Sequence, residues 1–151
     1  MDFMEMFESV DMFVSKTADR AGLPALRSTG GVFDGDAWRW EWYSLELMNA
    51  KEMQIVSMTA RPDAFGEGLT LTVSALAMLV QNRSISDARV YYARYVDMID
   101  FGRREAELSG ECARELARAW REVRVMAQHL PELNRQRAAL RDELRRAKLF
   151  I

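Results

Sequence analysis

A chain of 151 residues, 49% apolar and 29% charged, suits one folded domain with a full core and excludes a disordered chain. Its single cysteine, Cys112, excludes an intrachain disulfide and a multi-cysteine metal site, and fits a reducing setting inside a cell. The net charge of −2 is unevenly divided: residues 1–102 hold 9 Lys/Arg against 15 Asp/Glu, and residues 103–151 hold 12 against 8. An acidic body with a basic tail can attract itself, a second copy or an anionic partner.

The N-terminus, MDFMEMFESV, carries acids where a signal peptide carries bases. The most apolar run, Leu69 to Val80, is interrupted by Thr70, Thr72 and Ser74 and is shorter than the roughly 20 residues a membrane span needs. The expectation is a soluble, cytoplasmic protein. Residues 2–21 read as an amphipathic helix, with Phe3, Phe7, Val10, Val14 and Ala21 at helical spacing. Asp2, Glu5, Glu8 and Asp11 lie toward its N-terminal end, where the helix dipole favours acids. Met4 and Met12 fall beside the apolar stripe and form a second edge available to a partner. Gly22 and Pro24 end the helix.

Beyond the turn-like STGG at 28–31 the period changes. Four runs, Trp38–Leu47, Met53–Ala60, Leu69–Leu79 and Arg89–Ile99, are rich in aromatic, β-branched and aliphatic residues. Their separators are polar or contain glycine, and such short connections favour an antiparallel meander. Ser74–Asn82 has both a strand and a helix reading, and strand is the expectation. In the first run Trp38, Trp40 and Trp42 face one way, with Arg39 and Glu41 opposite. The phase then slips, since Tyr43, Leu45 and Leu47 become the apolar set, and a bulge near Trp42–Tyr43 would hold both sets on one face. Three uses of the aromatic face stay open: core, partner interface, or a ligand pocket completed by Tyr92 and by Arg39 or Arg94.

From Arg103 the helical period returns, with Leu108, Cys112, Leu116, Trp120, Val123 and Leu130 on one stripe. Pro131 is best tolerated in the first turn of a helix, which predicts a second helix in a basic extension, 131–151, beyond a domain of residues 1–130. The extension carries Leu133, Leu140 and Leu144 on a narrower face, with six basic residues from Arg135 to Lys148. Arg141, Arg145, Arg146 and Lys148 suit phosphates, yet Asp142 and Glu143 interleave with them and no aromatic side chain alternates with them. A protein partner is favoured over nucleic acid, either an acidic one or the acidic body of another copy.

No catalytic constellation emerges. His129, the only histidine, has no recognisable nucleophile beside it, and its place before Pro131 suggests a helix-end role. Cys112 sits in an apolar stripe as a small hydrophobe. Asp34 and Asp36 lack the remaining ligands of a calcium loop, and Asp97 and Asp100 end the fourth strand, with Asp100 as the cap of the following helix. The glycines of Gly30–Gly31 and FGEG lack phosphate-loop spacing. No enzyme activity, cofactor or metal is assigned.

An N-terminal helix, about four antiparallel strands and a long C-terminal helix or helix pair make a two-layer α+β domain. The helix ending in GLPAL (22–26), the run YYARYVDMID (91–100) entering a long helix, and the following PEL (131–133) together resemble the chaperones of type III secretion and their relatives. The resemblance implies a non-enzymatic homodimer that holds an extended client segment. It also implies a helix between the second and third sheet segments, which Ser74–Asn82 would have to supply. The combined expectation is a non-catalytic interaction protein, with Met4, Met12, Trp38, Trp40, Trp42, Arg141, Arg145 and Arg146 as partner-binding residues. A small-molecule sensor or enzyme with an aromatic pocket is the alternative.

Overall fold

The first helix, α1, spans Phe3–Ala21 in a computed structural model that describes residues 2–23, 31–43, 52–79 and 84–149. Asp2 caps it by accepting from the Glu5 amide, and Gly22 closes it in the left-handed region at φ 75°, where a side chain would be strained. Its buried face is Met6, Val10, Phe13, Val14, Thr17 and Ala18. That face is rotated from the expected stripe, for Phe3 is 49% exposed and Phe7 and Ala21 are only partly buried.

Five strands follow: β1 (Val32–Phe33), β2 (Trp38–Tyr43), β3 (Glu52–Pro62), β4 (Gly68–Leu79) and β5 (Ser84–Asp97). They pair antiparallel in the order β1-β2-β3-β4-β5. The two-residue β1 adds one strand to the expected four. Ser74–Leu79 is strand, in register with β3 from Ser57 to Glu52, so the helix implied by the resemblance is not supplied there. The polar segment NRSISD, expected to separate strands, instead gives β5 its start at Ser84, because cross-strand pairing to β4 overrides weak local propensity.

No bulge occurs at Trp42–Tyr43. Pairing runs unbroken from Trp38↔Ala60 to Tyr43↔Ile55, and the phase slip at 44–47 lies outside the described residues. Register shifts occur instead between β4 and β5, at Val73/Ser74 and Met78/Leu79. The first leaves Tyr91 without a register partner on β4, and its hydroxyl is 3.6 Å from the Met126 sulfur on the final helix.

A short helix, α2 (Met98–Arg103), leads into α3 (Glu105–Leu149). The cap at this junction is Asp97 rather than Asp100: the Asp97 side chain accepts from the Asp100 amide. Helix α3 runs 45 residues without a break, so Pro131 begins no new helix. The helix is already nucleated by the body upstream, and the residues downstream are mostly strong helix formers such as Ala, Leu, Arg and Glu. His129 is therefore mid-helix and exposed, far from any terminal carbonyls, which corrects its helix-end assignment.

Helices α1 and α3 pack on one face of the sheet. Beneath them lie Trp38, Trp40, Trp42, Met58, Leu71 and Val73, all at most 1% exposed. Thr17 and Ser109 satisfy one another across the α1–α3 contact at 2.9 Å. Gly31 is dictated by close approach, since a Cβ there would meet the Trp40 ring at 2.7 Å and the Phe7 ring at 2.9 Å. Among the described residues no helix is long and apolar enough to cross a membrane.

Candidate interaction surface

The sequence leaves open the use of the three tryptophans of β2. Trp38 meets the rings of Phe3 and Phe7 from α1 with centroids 4.8 and 5.8 Å away, and the Trp40 indole donates to Asp11 at 2.8 Å. Trp38, Trp40 and Trp42 are 1%, 0% and 1% exposed, which places them in the core rather than on an exposed docking face. Each buried indole contributes on the order of 4 kcal/mol at about 25 cal/mol per Å², an upper bound for the area term.

The two arginines named for an aromatic pocket lie elsewhere. Arg39 is on the opposite face of β2, 3.8 Å from Asp34. Arg94 is paired with Glu111 of α3, and Tyr92 donates to the same carboxylate oxygen at 2.7 Å. The Tyr92 hydroxyl and the Arg94 guanidinium hold the Glu111 carboxyl below its usual range. Burial, helped by the Glu111 hydrogen bond, pushes the Tyr92 phenol well up. Burial likewise raises the neighbouring Cys112 thiol to about 12, leaving it inert as a nucleophile at neutral pH. This cluster ties β5 to α3. Asp34 accepts from the amides of Asp36 and Ala37, each at 3.0 Å, which makes it a turn-former. A cavity of about 510 Å³ opens between α1 and the α2–α3 corner, and Lys16, Arg20, Arg103 and Glu105 line it rather than the tryptophans.

The far face of the sheet has no covering layer among the described residues. One end of it is polar, with Thr59, Thr70 and Thr72, and with Ser57 and Ser74 bonded at 2.9 Å. The other end is apolar: Tyr43, Ile55 and Leu76 stand in one cross-strand row, and Tyr43 is 41% exposed. Val90, paired with Ser74 on the edge strand β5, is 68% exposed.

The strongest discontinuity is along α3. Leu116, Ala119, Val123, Met126 and Leu130 follow one another at three- and four-residue steps and are all 0% exposed. The same steps continue through Leu133, and across Arg137, to Leu140 and Leu144, which are 56% and 55% exposed. Beyond Leu130 the helix projects past the sheet for about 28 Å at 1.5 Å per residue. By helical spacing, one flank of this leucine seam holds Arg141, Arg145 and Lys148, with no acid among them. Arg141, Arg145 and Arg146, the basic residues expected to bind a partner, are all exposed there. The ion pair Glu132–Arg135 lies outside this flank.

On α1 the expected second edge is present. Met4 and Met12 are each 59% exposed, and Glu5 and Glu8 are exposed with them. Met4, Glu8 and Met12 fall on one line at four-residue steps, and the first basic residue of the helix is Lys16. Of the two forms the sequence allows for the C-terminal region, one long helix or a helix pair, α3 is the single helix, and the signal is the leucine spacing that continues beyond Pro131. No protein-family model, no curated protein and no solved structure matches this chain.

Proposed function

We propose that this protein is a non-catalytic interaction module, an adaptor or chaperone-like holder of another polypeptide, whose docking element is the projecting half of α3. The observation that carries the proposal is the exposure of Leu140 and Leu144 on the continuation of a stripe that is fully buried up to Leu130. A helix that leaves its own sheet while keeping an apolar seam is suited to burying that seam against another chain. The basic flank restricts the partner to an acidic surface. The open face of the sheet, apolar around Ile55 and Leu76, offers a second and flatter contact area.

Deleting residues 131–151 tests the proposal. The truncated chain keeps its circular dichroism and its cooperative unfolding, and loses association. If it unfolds instead, the helix is needed by the body and the docking role falls.

A further inference from the structure

We propose that the occupant of the projecting half of α3 is the acidic, methionine-bearing face of α1 in a second copy of this chain, giving a reciprocal dimer. The inference rests on the docking role of that half-helix and names its partner. Four observations converge on it.

The seam cannot reach α1 of its own chain. Helix α1 packs against the start of α3, through Thr17–Ser109 and the Arg20 bond to the Ala106 carbonyl at 3.0 Å. Position 131 lies about 33 Å further along the same unbroken helix from Ser109. The charges are complementary, since the exposed Arg141, Arg145 and Lys148 face a helix whose first three turns hold Asp2, Glu5, Glu8 and Asp11 and no base. Asp2 and Asp11 are engaged within the chain, as the cap and with Trp40, while Glu5 and Glu8 present their exposed carboxylates outward.

The apolar partners also match. Met4 and Met12 stand about 12 Å apart along α1 with Glu8 between them, and Leu140 and Leu144 span about 6 Å. The flexible thioethers can close around the two leucines while Glu8 meets Arg141 or Arg145. Area gives the last argument. One contact of three helical turns falls short of the roughly 800 Å² per partner of a standard interface. A second copy supplies the same contact twice, once in each direction, as twofold symmetry requires. Pairing two projecting halves with each other would instead bring two basic flanks together.

The test measures the mass of the full chain in solution by light scattering across a dilution series, at low and high salt. The expected species is a dimer whose dissociation constant rises with salt. Met4→Arg/Met12→Arg and Leu140→Asp/Leu144→Asp, all at exposed positions, each weaken the dimer roughly tenfold or more. Mixing the two variants gives a dimer tighter than either variant alone, because one of the two contacts is then intact and the other sets the introduced Asp residues against the introduced Arg residues. Circular dichroism of each variant checks that it is folded. If the methionine variant stays dimeric while the leucine variant is monomeric, α3 docks on something other than α1, and the inference falls while the docking role stands. A monomeric wild-type chain overturns the dimer outright. The deletion of 131–151 then decides independently whether the half-helix is a docking element or part of the body.

Discussion

Leu116, Val123 and Leu130 are fully buried, whereas Leu140 and Leu144, continuing the same spacing on the same helix, are more than half exposed. The two halves share the leucine spacing, and the second differs in carrying six basic residues from Arg135 to Lys148. Burial also separates them: α3 packs on strands β3, β4 and β5, and every described side chain of the helix beyond Leu130 is exposed. The first half is also tied down by polar contacts, Tyr92 and Arg94 to Glu111 and Thr17 to Ser109, while the second holds a pair within its own turns, Glu132–Arg135. An apolar stripe thus reports that a helix face will be covered, and the length of the sheet decides how much of it the chain covers itself.

Three measurements sharpen that comparison. The largest effect is expected from truncating one leucine in each half and following chemical denaturation at concentrations where the chain is monomeric. Leu116→Ala removes a fully buried side chain and costs about 2–5 kcal/mol. Leu144→Ala touches an exposed one and stays within about 0.5 kcal/mol. Equal losses would mean that the two halves form one cooperative core.

A smaller, local effect is expected at the border. Pro131 lies inside α3 and has no amide hydrogen to donate to the carbonyl of residue 127. Pro131→Ala removes a helix-interior penalty of up to about 3 kcal/mol. Amide hydrogen exchange across 132–149 slows, while the melting temperature of the body moves far less. A comparable rise in both would show that the projecting half unfolds together with the body.

The smallest effect is in pH dependence. The Glu111 carboxyl is depressed below its ordinary 4.5 by the Tyr92 hydroxyl and then the Arg94 guanidinium. A depressed carboxylate stabilises the fold fully above its ordinary value, and that contribution is lost as pH falls through the depressed value. Glu111→Gln therefore lowers stability at neutral pH and flattens the decline of melting temperature below about pH 4.5. An unchanged acid limb would mean that the β5–α3 contact does not depend on this carboxylate.

The local rules were legible residue by residue. Gly22 marks the end of α1 because a left-handed backbone is what that end requires. The alternation of Trp38, Trp40 and Trp42 with Arg39 and Glu41 is the burial pattern of β2 itself. The cap before α2 was placed three residues late, at Asp100 rather than Asp97, because both are acceptable caps and only the chain direction at the end of β5 separates them. Ser84–Asp87 was misassigned as a separator because its polar residues become strand only by pairing with β4. Of the residues expected to bind a partner, Met4, Met12, Arg141, Arg145 and Arg146 are exposed, and the three tryptophans are not. Sequence has no direct signal for that division, since indoles alternating with charges suit a core face and a docking face equally.

By itself, the sequence determined the α+β class, the glycine cap that ends α1, the antiparallel order of the long strands and the apolar stripe of α3, because each follows from contacts a few residues apart or from periodicity along one element. Only the tertiary structure decided that the tryptophans are core, that Pro131 leaves α3 whole, and that the leucine seam outruns the sheet. Those outcomes depend on which face the helices cover and on where the strands end, quantities set by packing between distant segments.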